Sequence, residues 1–446
     1  MHRFRLPHPA VLLVAMIGLA ALLTWLVPAG EYQRATDPAT GRTVAVAGTY
    51  ASVPAAPVGA FDAVVAIPRG FIEGADVIAA ILLVGAAFFL LDRIGTLGRL
   101  LGSLVQRLGT RDQLAIPILV LFFGCMGALE NMQEEIIAMV PVLLVLARRV
   151  RVDAMAVVAA SAGAAIVGSA FGPTNPFQAG IALTLADLPV LQGGGLRLAM
   201  WAVGLVVWTF WIQRYVRRTS METMTVVEVA PEPATRKDAI GMLLVLVPLA
   251  AYVYGALNWD WGFNELSAAF LVGAVAVWII NRLGVNATTT ILLEGTQALL
   301  PAALLVGLAR SISLVLADGR VIDTVLHGLV TPLAGVSAHV AALAMIPVQS
   351  LVHIPVSSVS GQAALTMPIM VPLGDLLGIS RQVTVLAYQT GAGLMELLTP
   401  TNGALLAVLL AAGVPFQKWV RFAIGGWVLT TVVGVAGILV AMAIRL

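Results

Sequence analysis

GPTNPF at Gly172–Phe177 and TPTNGA at Thr399–Ala404 place Pro-Thr-Asn inside two long apolar stretches. Proline removes a backbone donor and clashes with the preceding turn, so it breaks a helix. At membrane depth the freed carbonyls and amides must be satisfied by protein, by ligand or by water in a cavity. A broken helix also aims half-helix dipoles at one spot. Thr and Asn add short hydrogen-bonding groups there. A proline kink used only for packing is ordinary in membrane helices. Two breaks with polar neighbours describe instead a binding site near the bilayer midplane.

The rest of the chain fits that setting. Its 446 residues are 60% hydrophobic and 11% charged, with a mean hydropathy of +0.97. Soluble domains average about 25% charge, so there is too little polar surface here to cover a water-soluble globule. The apolar runs are long and continuous, which makes the spans helical. A net charge of +2 gives no reason to expect nucleic acid as a partner. Cys125 is the single cysteine, which excludes an internal disulfide, and the five His residues lack metal-ligand spacing. There is no GxxxxGK phosphate loop, no HExxH, and no nucleophile with a His base at readable spacing. The chain is therefore expected to be no enzyme and to hold no cofactor or metal beyond a Na⁺ site.

Crossings are expected near 10–27, 72–92, 154–188, 198–215, 239–256, 265–281, 291–313, 382–412 and 419–441. The first follows MHRFRLPH and could imitate a secretory signal, but it is long enough to span. Two regions, 112–148 and 334–378, each read as an apolar arm, a polar tip and a second apolar arm. Their tips are ENMQEE (Glu130–Glu135) and SSVSG (Ser357–Gly361). Treated as re-entrant hairpins, with the N-terminus cytoplasmic, they leave most Lys and Arg on one side of an inner membrane, including Arg148, Arg149, Arg151, Arg214, Arg217 and Arg218.

An internal repeat ties these features together. Pro173 and Pro400 differ by the same offset as Pro141 and Pro368, and FIEG at 71–74 parallels LLEG at 292–295 further upstream. On the expected topology the two copies are inverted, as in many secondary transporters. The expectation is an all-α polytopic membrane protein: an inverted repeat with two re-entrant hairpins and two broken transmembrane helices. Its parts are a first helix at 1–27, an external loop with some strand at 28–70, and a first repeat at 71–217 (hairpin 112–148, broken helix 154–188). A cytoplasmic linker and connecting helix follow at 218–264, then a second repeat at 265–446 (hairpin 334–378, broken helix 382–412).

Candidate site residues follow from cost. A charge at bilayer depth costs about 2.5–3.5 kcal/mol or more, so intramembrane charges mark pathways or partners. Glu134 and Glu135 open the second arm of the first hairpin, where a helix dipole favours carboxylates. Ser357, Ser358, Ser360, Gly361 and Gln362 offer hydroxyls and free amides that suit an anion, or an ordinary serine N-cap. Glu396 precedes the second break and falls over Ser169 at the offset of the repeat. It suits Na⁺ or H⁺ coupling or a cationic substrate, or it pairs with Arg310, which could equally clamp a substrate carboxylate. His353 is read as structural rather than as a proton shuttle.

The chain resembles the YfcC-like branch of the C4-dicarboxylate anaerobic carrier (DcuC-type) family, within the ion transporter superfamily. The resemblance is carried by WLVPAGEYQR at 25–34, ENMQEEIIAMVP at 130–141, GPTNPFQAGIALTLADLP at 172–189 and GLARSI at 307–312. It continues through SSVSGQAALTMPIMVPLGDLLGISRQ at 357–382 and LLTPTNGALLAVLLAAGVPFQKW at 397–419. It implies a homodimeric transporter whose substrate and coupling cations sit between hairpin tips and helix breaks. On this chain those positions are Asn131, Gln133, Glu134, Glu135, Thr174, Asn175, Ser358, Ser360, Gly361, Thr401 and Asn402. The paired Ser-Asn-Thr hairpin motifs of the dicarboxylate/sodium branch are absent, and the acidic first tip suits a basic amino acid better. The function expected is a cation-coupled symporter or exchanger of a small carboxylate-bearing metabolite, C4-dicarboxylate or amino acid, working by alternating access. A basic amino acid antiporter and, in another class, a channel are the alternatives.

Overall fold

The computed structural model describes residues 9–38, 43–96, 99, 114–173, 175–189, 192–219, 235–259 and 261–446. The helices before the first break are α1 (Pro9–Leu26), α2 (Ala60–Glu73), α3 (Ala75–Arg93), α4 (Ala115–Glu130), α5 (Glu134–Arg149) and α6 (Ala154–Phe171). Those up to the second break are α7 (Ile181–Leu185), α8 (Gly194–Thr219), α9 (Arg236–Asn258), α10 (Phe263–Asn281), α11 (Val285–Asp318), α12 (Ile322–Val330), α13 (Ala338–His353), α14 (Val359–Leu376) and α15 (Arg381–Tyr388). Beyond it lie α16 (Gly403–Ala411) and α17 (Phe416–Ala443). The chain is mainly helical, and α3, α6, α8, α10, α11 and α17 are each long and apolar enough to cross a bilayer.

Helix α11 is the spine. At 1.5 Å per residue its 34 residues run about 50 Å, beyond the ~30 Å hydrocarbon core. The crossing expected at 291–313 is its middle. It packs on α1, α2, α3 and α16.

The stretch expected as loop, 28–70, does contain strand. β1 (Gly30–Glu31) pairs antiparallel with β4 (Ala51–Ser52), and β2 (Arg34–Thr36) with β3 (Thr43–Ala45). Helix α2, however, begins at Ala60, inside that stretch. Asp62 stands in its first turn, where the dipole favours a carboxylate. Ala63, Ala66 and Gly70 make a small-residue face, and Gly70 lies directly on Gly307 and Ser311 of α11. A search for apolar spans passes over such an amphipathic helix. It also passes over α12, whose buried Asp323 ties the segment around β1 and β2 down. The carboxylate accepts from the Tyr32 amide at 2.8 Å and from Arg34 Nη2 at 2.9 Å. Burial pushes the nearby Tyr32 phenol up to about 12.

Both Pro-Thr-Asn segments interrupt helices. Helix α6 contains a π-helical turn at Ala159–Gly163 and stops at Phe171, and a second π turn, Pro176–Gly180, leads into α7. Helix α15 runs into a π turn at Gln389–Gly393, and the chain is non-helical from Glu396 to Asn402 before α16. π turns widen the helix by one residue and gather at functional sites.

The two hairpins exchange arms between the breaks. In the first, α4 packs on α6, before the first break, while α5 packs on α16, after the second. In the second, α13 packs on α15 and its π turn, before the second break, while α14 packs on α7, after the first. The second tip is Ile354–Ser358, upstream of the expected SSVSG, because Ser358 is the N-cap of α14 and accepts from the Gly361 amide at 3.3 Å. Ser360 and Gly361 thus stand in the first helical turn. The expected linker at 218–264 lies outside the described residues over 220–234, and Thr174 also lies outside them.

Candidate functional site

Each break ends in an asparagine that caps the next half-helix. Asn175 Oδ1 accepts from the amides of Phe177 and Gln178, both at 2.9 Å. Asn402 Oδ1 accepts from the Leu405 amide at 3.0 Å. The cap fixes the rotation of each carboxamide, so each NH₂ points away from its helix and must find acceptors.

Both find the tip of the first hairpin. Asn175 Nδ2 donates to Gly127 O (2.9 Å), Ser169 Oγ (2.8 Å) and Asn131 Oδ1 (3.3 Å). Asn131 is the left-handed C-cap of α4, at φ 60°. Asn402 Nδ2 donates to Gln133 Oε1 at 3.2 Å, and Gln133 Nε2 in turn donates to Glu396 Oε2. Ser169 and Glu396, which the repeat offset superposes, thus serve Asn131 and Gln133 in parallel. The tip can sit this low because α4 meets α6 through glycine. A Cβ on Gly127 would strike Ala165 O, and one on Gly168 would strike Gly124 O.

A cavity of about 330 Å³ opens between the tips and breaks. Of the expected site residues it is lined by Asn131, Gln133, Glu134, Glu135, Ser358, Ser360, Glu396, Asn402 and Arg310. That volume suits a small metabolite. Asn175 is fully buried behind Asn131. Thr401 is buried too, and its Oγ1 donates to Ile354 O at 2.6 Å, which ties the second tip to the second break. Gly361 stands behind the wall, in the cap of α14.

Charge is uneven in the cavity. Glu134, Glu135 and Glu396 face it, with Arg310 from α11 as the opposing charge. The pairing of Arg310 with Glu396 weighed from the sequence is not formed: Glu396 Oε2 is taken by Gln133, and Oε1 lies 3.9 Å from His353 Nε2. Glu135 Oε2 accepts from the Gln133 amide at 3.2 Å, which pins the start of α5.

Several participants were not legible. Ser313, Phe177, Tyr252, Trp261 and Phe263 also line the cavity. Tyr252 and Trp261 come from α9 and the loop after it, and no motif marks them. Ser169 had one available signal, its register under Glu396. His353, read as a lone structural histidine, stands directly behind Glu396, in contact with Gln362.

Comparison with known proteins identifies the setting. Residues 6–443 match the family model DcuC, C4-dicarboxylate anaerobic carrier. A protein of Escherichia coli named "Putative basic amino acid antiporter YfcC" is 30% identical over 369 residues, covering 77% of this chain and 73% of its own. An uncharacterized protein of Haemophilus influenzae is 27% identical over 94% of this chain and 93% of its own. Among solved structures, the Alcanivorax borkumensis YdaH transporter is similar with a TM-score of 0.47 at 16% identity, over 98% of this chain and 99% of that one. Neisseria gonorrhoeae MtrF, from a class of antimetabolite efflux pumps, gives 0.43 at 16% identity over 97% and 94%. The chain belongs to the C4-dicarboxylate anaerobic carrier family. It is a multi-pass membrane transporter, and the family is one of carriers, not of enzymes.

Proposed function

We propose that this carrier exchanges or cotransports a small amino acid bearing a cationic group, by alternating access, with the substrate held between the first hairpin tip and Arg310. The observation that carries this is the cavity's charge: Glu134, Glu135 and Glu396 against Arg310. An amino acid matches both signs. Its carboxylate meets Arg310 and the first-turn amides of α14, where a helix N-terminus favours an anion. Its ammonium meets Glu134 and Glu135. The relative named as a basic amino acid antiporter supports the same substrate class.

The second reading is a C4-dicarboxylate, in line with the family description. Two substrate carboxylates among three protein carboxylates require bound cations or protons, so this reading demands Na⁺ or H⁺ coupling. Thermal stabilisation of the purified protein separates the two. A ligand at 100 times its Kd that binds only the native state adds about 2.7 kcal/mol. Stabilisation by arginine, lysine or ornithine without Na⁺ supports the amino acid exchanger. Stabilisation by succinate or fumarate that needs Na⁺ supports the dicarboxylate carrier. Absence of counterflow together with non-saturating flux would point to a channel.

The same reading places the N-terminus in the cytoplasm of an inner-membrane protein and pairs the chain as a homodimer. Support for the orientation comes from one cleft between the end of α8 and the start of α17, where Arg214, Arg218, Lys418 and Arg421 gather. Crosslinking in native membranes tests the dimer.

A further inference from the structure

We propose that Glu396 and His353 together hold one exchangeable proton, and that this proton is the ion the carrier couples to its substrate. The inference rests on the transporter reading above and adds to it the identity and seat of the coupling ion.

The argument is one of hydrogen-bond direction. Gln362 Nε2 donates to the backbone carbonyl of Gln349 at 2.7 Å and to Gln349 Oε1 at 2.7 Å. A carbonyl can only accept, so the amide end of Gln362 is fixed and its Oε1 faces His353. That oxygen lies 2.8 Å from His353 Nδ1. The ring therefore carries its proton on Nδ1, and in the neutral imidazole Nε2 is a bare lone pair. His353 is fully buried, and Nε2 has no hydrogen-bond partner among the described residues. It looks instead at Glu396 Oε1, 3.9 Å away.

The carboxylate is oriented just as firmly from the other side. Leu405 N fixes Asn402, Asn402 fixes Gln133, and Gln133 gives its N–H to Glu396 Oε2. Oε1 is left facing the ring. Without a further proton, two acceptors confront one another in a buried place, which is costly. One added proton turns the confrontation into attraction, either as Glu396 O–H toward Nε2 or as an imidazolium toward the carboxylate. Binding and release move one proton and no electrons. Two added protons would leave an imidazolium facing a neutral acid, again unpaired. The pair is thus a seat for a single proton. A Na⁺ ion is poorly served here, because hard cations want several oxygens and Glu396 offers only Oε1, beside a ring nitrogen.

Glu396 and Gln133 line the cavity, so the proton enters from the substrate side. The titratable and charged groups facing the pair from other elements are Glu134 and Glu135 on α5, Arg310 on α11 and, beyond Glu134, Asp76 on α3. From α13, α14 and α16 come the neutral Gln349, Gln362 and Asn402. Glu134 lines the same cavity as Glu396. A cationic substrate at Glu134 cancels the negative field that holds the proton. Substrate and proton then displace one another, which is the sign of coupling an exchanger requires.

The test uses the full-length protein in lipid nanodiscs. Infrared difference spectra across a pH step should show a carboxylic-acid carbonyl band that titrates. It should be lost in Glu396→Gln, and its midpoint should move in His353→Gln. Nitrogen NMR of the unmutated protein needs no variant: His353 should carry its proton on Nδ1, with Nε2 changing state in the same pH window as the band. A His353 ring protonated on Nε2 alone, or a pH-difference spectrum and Nε2 titration both unchanged in Glu396→Gln, overturns the proposal. If the band is absent and Nε2 does not titrate, while arginine or succinate still stabilises the protein, the proton seat falls and the transporter reading stands. If the band behaves as expected and no ligand of the panel binds, the substrate reading falls and the proton seat stands.

Discussion

Asn175 and Asn402 perform the same two tasks at the two breaks: each caps the following half-helix through Oδ1 and holds one residue of the first hairpin tip through Nδ2. One short tip, Asn131 to Gln133, is therefore the bridge between two helix breaks that lie more than two hundred residues apart in the chain. Movement of either half-helix has to pass through that bridge. On the proposed function, that bridge would link substrate access at the tip to the state of both breaks.

Asn402→Asp separates the tasks. Aspartate still accepts from Leu405 N, so the cap survives. While ionised it cannot donate to Gln133, and it sets a new carboxylate beside Glu396. Loss of the donated bond leaves Gln133 Oε1 unpaired, at about 1–3 kcal/mol. Asn402→Ala loses the cap as well, about another 1 kcal/mol. At a pH where the new aspartate is ionised both variants should melt below the wild type; where it is protonated its O–H can again donate to Gln133, and the aspartate variant should regain part of the loss. Transport should be lost in both variants. An aspartate variant that transports normally would show that the bridge is only a cap.

Glu134→Gln and Arg310→Gln should dissect the ligand. Removing the Glu134 charge weakens a bound ammonium by about 1.5–3 kcal/mol, roughly 10- to 100-fold in Kd. A dicarboxylate should bind Glu134→Gln as well as it binds the wild type, or better. Arg310→Gln should weaken both ligand classes, since both carry a carboxylate. Isothermal titration against lysine, arginine and succinate reads all of this. Unchanged lysine affinity in Glu134→Gln removes the amino acid reading.

Close packing makes its own prediction. The Gly127 site is filled by Ala165 O, so Gly127→Ala forces α4 away from α6 and lifts the tip off Asn175. Overpacking of this kind costs about 1–3 kcal/mol. Gly194 has open space around it, and Gly194→Ala should stay within about 0.5 kcal/mol of the wild type. Thermal unfolding in detergent compares the two. Equal midpoints would mean that the α4–α6 contact yields without strain.

Much of this plan was readable because the chemistry is local and repeated. Proline followed by Thr-Asn marks a break in any apolar helix, and two copies in register mark a pair. The acidic tip was readable because charge is rare in so apolar a chain. What escaped was relational. His353 is one more histidine until Gln362 fixes its tautomer and Glu396 faces it. Ser358 reads equally as a binding hydroxyl and as a cap, and its bond to Gly361 N makes it a cap. Helix α2 escaped because its buried face is Ala63, Ala66 and Gly70, whose fit depends on Gly307 and Ser311 of a helix over two hundred residues away.

The junction of α3 with α9 offers a pH test away from the cavity. Asp238, in the first turn of α9, accepts from Arg99 Nε at 3.0 Å and Nη2 at 2.6 Å, from Thr96 Oγ1 at 3.1 Å and from the Thr235 amide at 2.8 Å. The Arg99 guanidinium holds its carboxyl well below the ordinary carboxylate range, against the opposing effect of burial, with Thr235 and Thr96 adding to Arg99. A carboxylate whose value is depressed on folding stabilises the fold above its unfolded value, ~3.9, and loses that contribution as pH falls through the folded value. At pH 7, Asp238→Asn should cost about 1–3 kcal/mol, since it replaces charged hydrogen bonds with neutral ones. The gap between wild type and variant should be constant above about pH 5 and narrow progressively below about pH 4. Thermal midpoints measured in parallel at neutral and acid pH give the comparison. A gap that stays constant down to pH 3 would mean that the Arg99–Asp238 pair contributes nothing through its charge.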